Sequence, residues 1–115
     1  ACHTPTMQAA AQELAAVLEE TTIHRPWAPV VSNALAQPVR EPAAIKDALL
    51  RQLTAPVRWT ESVRAMVAGG ANAALEVGPK AVVTGLVKRI APGLRLYAIT
   101  DGASLGALDG EEWRA

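Results

Sequence analysis

AALEVGPKAVVTGLVKRIAPGLRLYAI, residues 73–99, is the stretch whose reading decides the fold. AALEVG (73–78) is a short apolar run ended by Gly78–Pro79, which predicts a strand followed by a turn. KAVVTGLVKRI (80–90) predicts a helix stopped by Pro92–Gly93, and LRLYAI (94–99) predicts the next strand. A strand, a helix and a second strand in that order imply a parallel pair joined by a right-handed crossover.

Working towards the N-terminus, a helix from about Thr60 places Val63, Met66 and Val67 on a buried face, and Gly69–Gly70 closes it. AQPVREPAAIKDALLRQL (36–53) predicts another helix. Pro42 stands in its first turn, Ile45, Ala48, Leu49 and Leu53 share one face, and it stops before Pro56. In HRPWAPVVSN (24–33), prolines bracket Val30–Val31, which read as a short buried strand running into a loop at Ser32–Asn33. The first helix follows Thr4 as N-cap and Pro5 at the first helical position, with Met7, Ala10, Ala11, Leu14 and Leu18 forming its apolar stripe.

The order is thus α, β, α, α, β, α, β: an α/β fold with a parallel sheet flanked by helices. A parallel sheet needs both faces covered, so three strands look like part of a larger doubly wound sheet. DGASLGALDGEEWRA (101–115) is expected to be a loosely ordered tail.

The 115 residues suffice for one modest core, and half of them are hydrophobic. Trp27, Trp59, Tyr97 and Trp113 are the only aromatic residues, so the core must be aliphatic. Eleven Lys and Arg balance 11 Asp and Glu, which leaves no field to draw in nucleic acid or an anionic membrane. The single cysteine, Cys2, excludes an internal disulfide, and the cytoplasm is the expected compartment. No apolar run approaches the roughly 20 residues of a membrane span. A basic region followed by an apolar one, the mark of a signal peptide, is missing from the first residues.

Four constellations compete as carriers of chemistry. His3, His24 and Cys2 lack metal-ligand spacing, so no metal site is expected. Gly78–Pro79–Lys80 lies where helix amides can hold an anion, but it matches neither nucleotide-loop pattern and reads as a plain turn. GASLG (102–106) matches the G-x-S-x-G of a nucleophile elbow around Ser104. ALDGEEWRA (107–115), however, is a poor helix on which to anchor a strained turn. His3 precedes a helix N-terminus, where a neutral ring can serve as a base, although such a histidine is more often a surface or capping residue. Gln52 reads as a solvated residue in the last turn of its helix.

Several stretches fall in order along one known pattern: CHTPTM (2–7) before an alanine-rich helix, PVVSN (29–33), IKDALLRQLTAPVRWTESV (45–63), LEVGP (75–79) and VVTGLVKRI (82–90). Together they resemble the C-terminal part of the malonyl-CoA:acyl carrier protein transacylase family. The resemblance covers residues 1 to about 100, leaving 101–115 as a variable C-terminal tail. It implies that residues 1–100 form the C-terminal part of the family's large, α/β-hydrolase-like subdomain.

Family members pass malonyl from coenzyme A to a carrier-protein thiol through a serine ester, in fatty acid biosynthesis. The resemblance makes His3 the general base and the Gln52 main-chain carbonyl the group that orients it. Asn33 matches a position lining the same neighbourhood. Malonyl-CoA and acyl carrier protein are the implied partners, with coenzyme A thioester as substrate and no cofactor or metal. The serine elbow, the malonyl-binding arginine, the oxyanion amides and the small ferredoxin-like subdomain belong to segments that would precede Ala1. The chain alone is therefore expected to lack the nucleophile, to be inactive by itself and to expose open sheet edges. A polyketide synthase acyltransferase segment and a non-catalytic α/β binding module are the alternative readings.

Overall fold

The computed structural model describes residues 2–108, and the chain divides into two compact units, Ala1–Ala65 and Met66–Ala115. In the first unit Thr4 is extended ahead of Pro5, and Pro5–Met7 makes one 3-10 turn before helix α1, Gln8–Glu20. The helix expected from Pro5 thus begins one tight turn later. Helix α2, Pro42–Thr54, packs against α1, burying Ala11 and Leu18 on one side and Ile45 and Ala48 on the other. Pro42 opens α2, where its missing N–H costs nothing. Ala55, pushed out of the helical region by Pro56, ends it at φ −103° and ψ 148°.

Val30–Val31 is strand β1, but it does not extend a parallel sheet. It pairs antiparallel with β2, Pro38–Val39, with Val30 opposite Val39 and Val31 opposite Pro38. Between Pro29 and the turn at Ser32 there is room for only a two-residue strand, and the chain folds straight back. Buried Ser32 closes the return: its N–H donates to the Gln37 carbonyl at 3.1 Å and its carbonyl accepts from Ala36 N–H at 2.7 Å. The Ser32 hydroxyl also accepts from Leu35 N–H at 3.3 Å. Helix α3, Trp59–Ala68, follows, with Ser62 and Val63 among the most completely buried side chains. Met66 and Val67, expected on the buried face, are 37% and 40% exposed. Gly70 closes α3 at φ +97°: its N–H donates to Val67 O and that of Ala71 to Met66 O, the paired bonds of a Schellman cap.

In the second unit β3, Ala73–Val77, and β4, Arg95–Ile99, pair in parallel from Ala73 opposite Arg95 to Val77 opposite Ile99. Helix α4, Val83–Ile90, crosses between them and packs on both strands, with Val87 buried. The fold class is α/β as expected, but only this pair is parallel among the described residues. Residues 102–107 correct a second expectation, for they form helix α5, Gly102–Ala107, instead of loose tail. Asp101 caps it by accepting from Ser104 N–H at 2.7 Å, while the Ser104 hydroxyl accepts from Asp101 N–H at 3.0 Å. The rest of the expected tail, 109–115, lies outside the described residues. No helix among the described residues is long and apolar enough to cross a membrane.

Candidate functional site

The site is built where the chain's first residues meet the end of α2. A helix leaves its last carbonyls without intrahelical donors, and they need partners from elsewhere. Two successive carbonyls of α2 find them at the N-terminus. The His3 ring donates from Nδ1 to the Gln52 carbonyl at 2.5 Å, and Thr4 N–H donates to the Leu53 carbonyl at 3.1 Å. His3 itself sits at φ +64°, the left-handed region, where a side chain costs about 1–2 kcal/mol. The adjacent bonds to residues 52 and 53 hold it there. With Nδ1 protonated, Nε2 carries the lone pair. The ring is half-buried, with Nδ1 anchored to the carbonyl and Nε2 left without that restraint.

Asn33 lies in the turn between β1 and β2. Its carbonyl accepts from Arg58 N–H at 2.8 Å, and the Arg58 guanidinium donates through Nη1 to the Leu35 carbonyl at 3.1 Å. Arg58 thereby ties the Asn33 turn to the start of α3, where Ser62 N–H returns a bond to the Arg58 carbonyl at 2.9 Å. Glu61 meets the same guanidinium at 3.3 Å. Its own backbone N–H and the Arg58 side chain hold its carboxyl below the usual range. Asn33 and Gln52 line one recess of about 210 Å³, together with Ser32 and an apolar wall from β1, β2 and α2 that includes Val31, Val39, Ile45 and Leu49. The structure thus brings His3 to Gln52, and Gln52 to the recess that Asn33 shares.

No family model matches the chain. A malonyl CoA-acyl carrier protein transacylase from Salmonella typhimurium is 44% identical over 105 residues, 91% of this chain and 34% of that protein. A crystal structure of an acyl carrier protein S-malonyltransferase from Vibrio cholerae is similar at TM-score 0.86 and 45% identity, over 94% of this chain and 35% of that one. This chain is a relative of the malonyl CoA-acyl carrier protein transacylases. It spans about a third of the length of the curated relatives it matches. A second similar structure is a type II PKS acyl-carrier protein in complex with its malonyl-transacylase, at TM-score 0.84 and 43% identity over 92% of this chain and 34% of that one.

The transacylase relationship makes the fates of the competing constellations informative. Ser104 is not at a strand-to-helix elbow but in the third position of α5. Its hydroxyl accepts from the N–H groups of Thr100 and Asp101 at 2.9 and 3.0 Å, while donating back to Asp101. It is a cap, and Ser104 in return holds the Asp101 carboxyl below its ordinary range. The amides that an anion would use near Gly78–Pro79–Lys80 are taken by Glu76. Its carboxylate accepts from the N–H groups of Val82, Val83 and Thr84 at 3.0, 2.9 and 2.6 Å, and from the Thr84 hydroxyl at 2.5 Å. Thr84 and Val83 together hold that carboxyl below the usual range. This reach from β3 also explains why α4 starts at Val83 instead of Lys80. His24 and Cys2 are both exposed.

Thr4 and Arg58 hold the site in ways the sequence alone did not show: Thr4 was expected only as a helix N-cap, and its side chain makes no cap bond. Thr4 enters through its backbone, which no residue type advertises. Arg58 stands directly after Pro56–Val57, and its several roles emerge only once the Asn33 turn is folded against it.

Proposed function

We propose that this chain is the base-bearing part of a malonyl-CoA:acyl carrier protein transacylase. The observation that carries the reading is the His3 Nδ1 bond to the Gln52 carbonyl, in a chain that matches a third of such enzymes. His3 Nε2 takes the proton of a serine hydroxyl supplied by the part of the enzyme outside these 115 residues. The serine oxygen bonds to the malonyl thioester carbon, the C–S bond breaks, and the imidazolium returns the proton to the departing coenzyme A thiolate. In the second half, the carrier-protein thiol gives its proton to Nε2 and its sulfur attacks the ester carbon. The C–O bond breaks and the serine recovers the proton. The Nδ1–H bond to the carbonyl persists in both protonation states, so the ring keeps its aim through the cycle. Asn33 lines the neighbourhood of the reacting groups. The acceptor is an acyl carrier protein, and the similarity to a transacylase held in complex with a type II PKS carrier favours a polyketide carrier as a second acceptor to assay.

By itself the chain is expected to form no malonyl ester. Incubation with malonyl-CoA followed by intact-mass spectrometry should show no adduct, and stable labelling at Ser104 would overturn the reading. Mixed with the serine-bearing portion of a matching transacylase, it should support transfer. The reassembled His3→Ala variant should lose on the order of 100-fold or more, the range of a general base. Equal activity from that variant would remove His3 from the mechanism.

A further inference from the structure

In an α-helix each carbonyl accepts from the N–H four residues further on. Near the end of α2 the series runs normally as far as Arg51, whose carbonyl takes the N–H of Ala55 at 3.0 Å. The next carbonyl belongs to Gln52, and the donor that helical geometry would aim at it is the N–H of residue 56. Residue 56 is proline, which has no N–H. That same carbonyl is the one to which His3 Nδ1 donates at 2.5 Å.

We propose that Pro56 is a positioning residue for His3: it withholds the one backbone donor that would compete for the Gln52 carbonyl, and so reserves that carbonyl for the imidazole. Pro56 acts in a second way as well. It holds Ala55 extended, so the helix cannot wind one residue further and draw the carbonyl inward. Leu53, whose carbonyl is left over by the same termination, receives Thr4 N–H at 3.1 Å. One proline thus opens two adjacent acceptors, and the two adjacent residues His3 and Thr4 fill them.

The consequence for catalysis rests on the transacylase reading; the consequence for the ring does not. The test separates them by reading the ring directly, through nitrogen NMR of histidine-labelled protein with exposed His24 as the internal reference. In the parent chain His3 should show the Nδ1–H tautomer. Pro56→Ala restores an N–H at position 56 and should shift His3 towards Nε2–H. In the reassembled enzyme it should lower kcat/KM by about 10- to 100-fold, as misplacement of a reacting group does. A second variant carries lactate, alanine's hydroxy analogue, at position 56. Its ester has neither the proline ring nor an N–H, and it should keep the Nδ1–H signature and recover the activity lost by Pro56→Ala. Loss of the signature in the ester variant would overturn the proposal, whether or not Pro56→Ala folds, and so would an unchanged tautomer in folded Pro56→Ala. If the tautomer shifts as expected but His3→Ala leaves transfer intact, the transacylase role of His3 fails while the role of Pro56 stands.

Discussion

His3 occupies a backbone conformation that glycine would adopt freely, at φ +64°. Replacing it by glycine therefore removes the ring and the backbone strain together, while the Thr4 bond to Leu53 can remain. His3→Gly is expected to melt no lower than His3→Ala. In the reassembled enzyme it should lose transfer, and added imidazole should restore part of it. Thermal melts and a transfer assay with and without imidazole check both halves, and no rescue at any imidazole concentration would count against a base at this position. The resemblance, not spacing, singled out His3, Gln52 and Asn33. Residue chemistry alone offered a histidine near a helix start and a glutamine near a helix end. The bond between them joins positions 49 apart in sequence, which no local pattern encodes.

Among the elements, α4 is the one whose start is set from outside itself. Val82 at its N-cap offers no side-chain acceptor, and Glu76 on β3 satisfies the open amides instead. Because the folded carboxyl is held below the ordinary glutamate value of about 4.3, its contribution is fully present above that pH. It is lost as pH falls through the lowered folded value. Glu76→Gln should therefore speed hydrogen exchange at the amides of Val82, Val83 and Thr84 at neutral pH, and acidification of the parent protein should do the same. Unchanged exchange at those three amides would overturn the cap. A local search for an N-cap could not see this residue, because it reaches back from the preceding strand. α5 was readable in principle: Asp101 with Ser104 three residues on is a capping signal, outweighed in the sequence by glycine and small residues.

At the scale of the molecule, the parallel pair was legible because its strands are bounded by glycine and proline and separated by one amphipathic helix. β1 was not, since two valines between prolines and a serine carry no mark of which partner they choose. Leu75 and Val77, two apart on β3, are 36% and 73% exposed, and Val82 is 62% exposed. An apolar row of this kind calls for a covering surface. The chain should accordingly bind an environment-sensitive apolar dye, and titration with the serine-bearing portion of a transacylase should displace it in step with recovered transfer. Dye fluorescence unaffected by reassembly would show that this row stays open in the active enzyme.

The two bonds that seat His3 have a further consequence, in the order of events during folding. They tie residue 3 to residue 52 and residue 4 to residue 53, so neither can form until most of the first unit has come together. Closing so long a loop carries an entropic cost that local structure cannot offset, and contacts of this range form late or cooperatively. The oriented imidazole is therefore a property of the folded first unit. Before that, a nascent or unfolded molecule carries a histidine whose ring nothing orients, and folding itself fixes its direction.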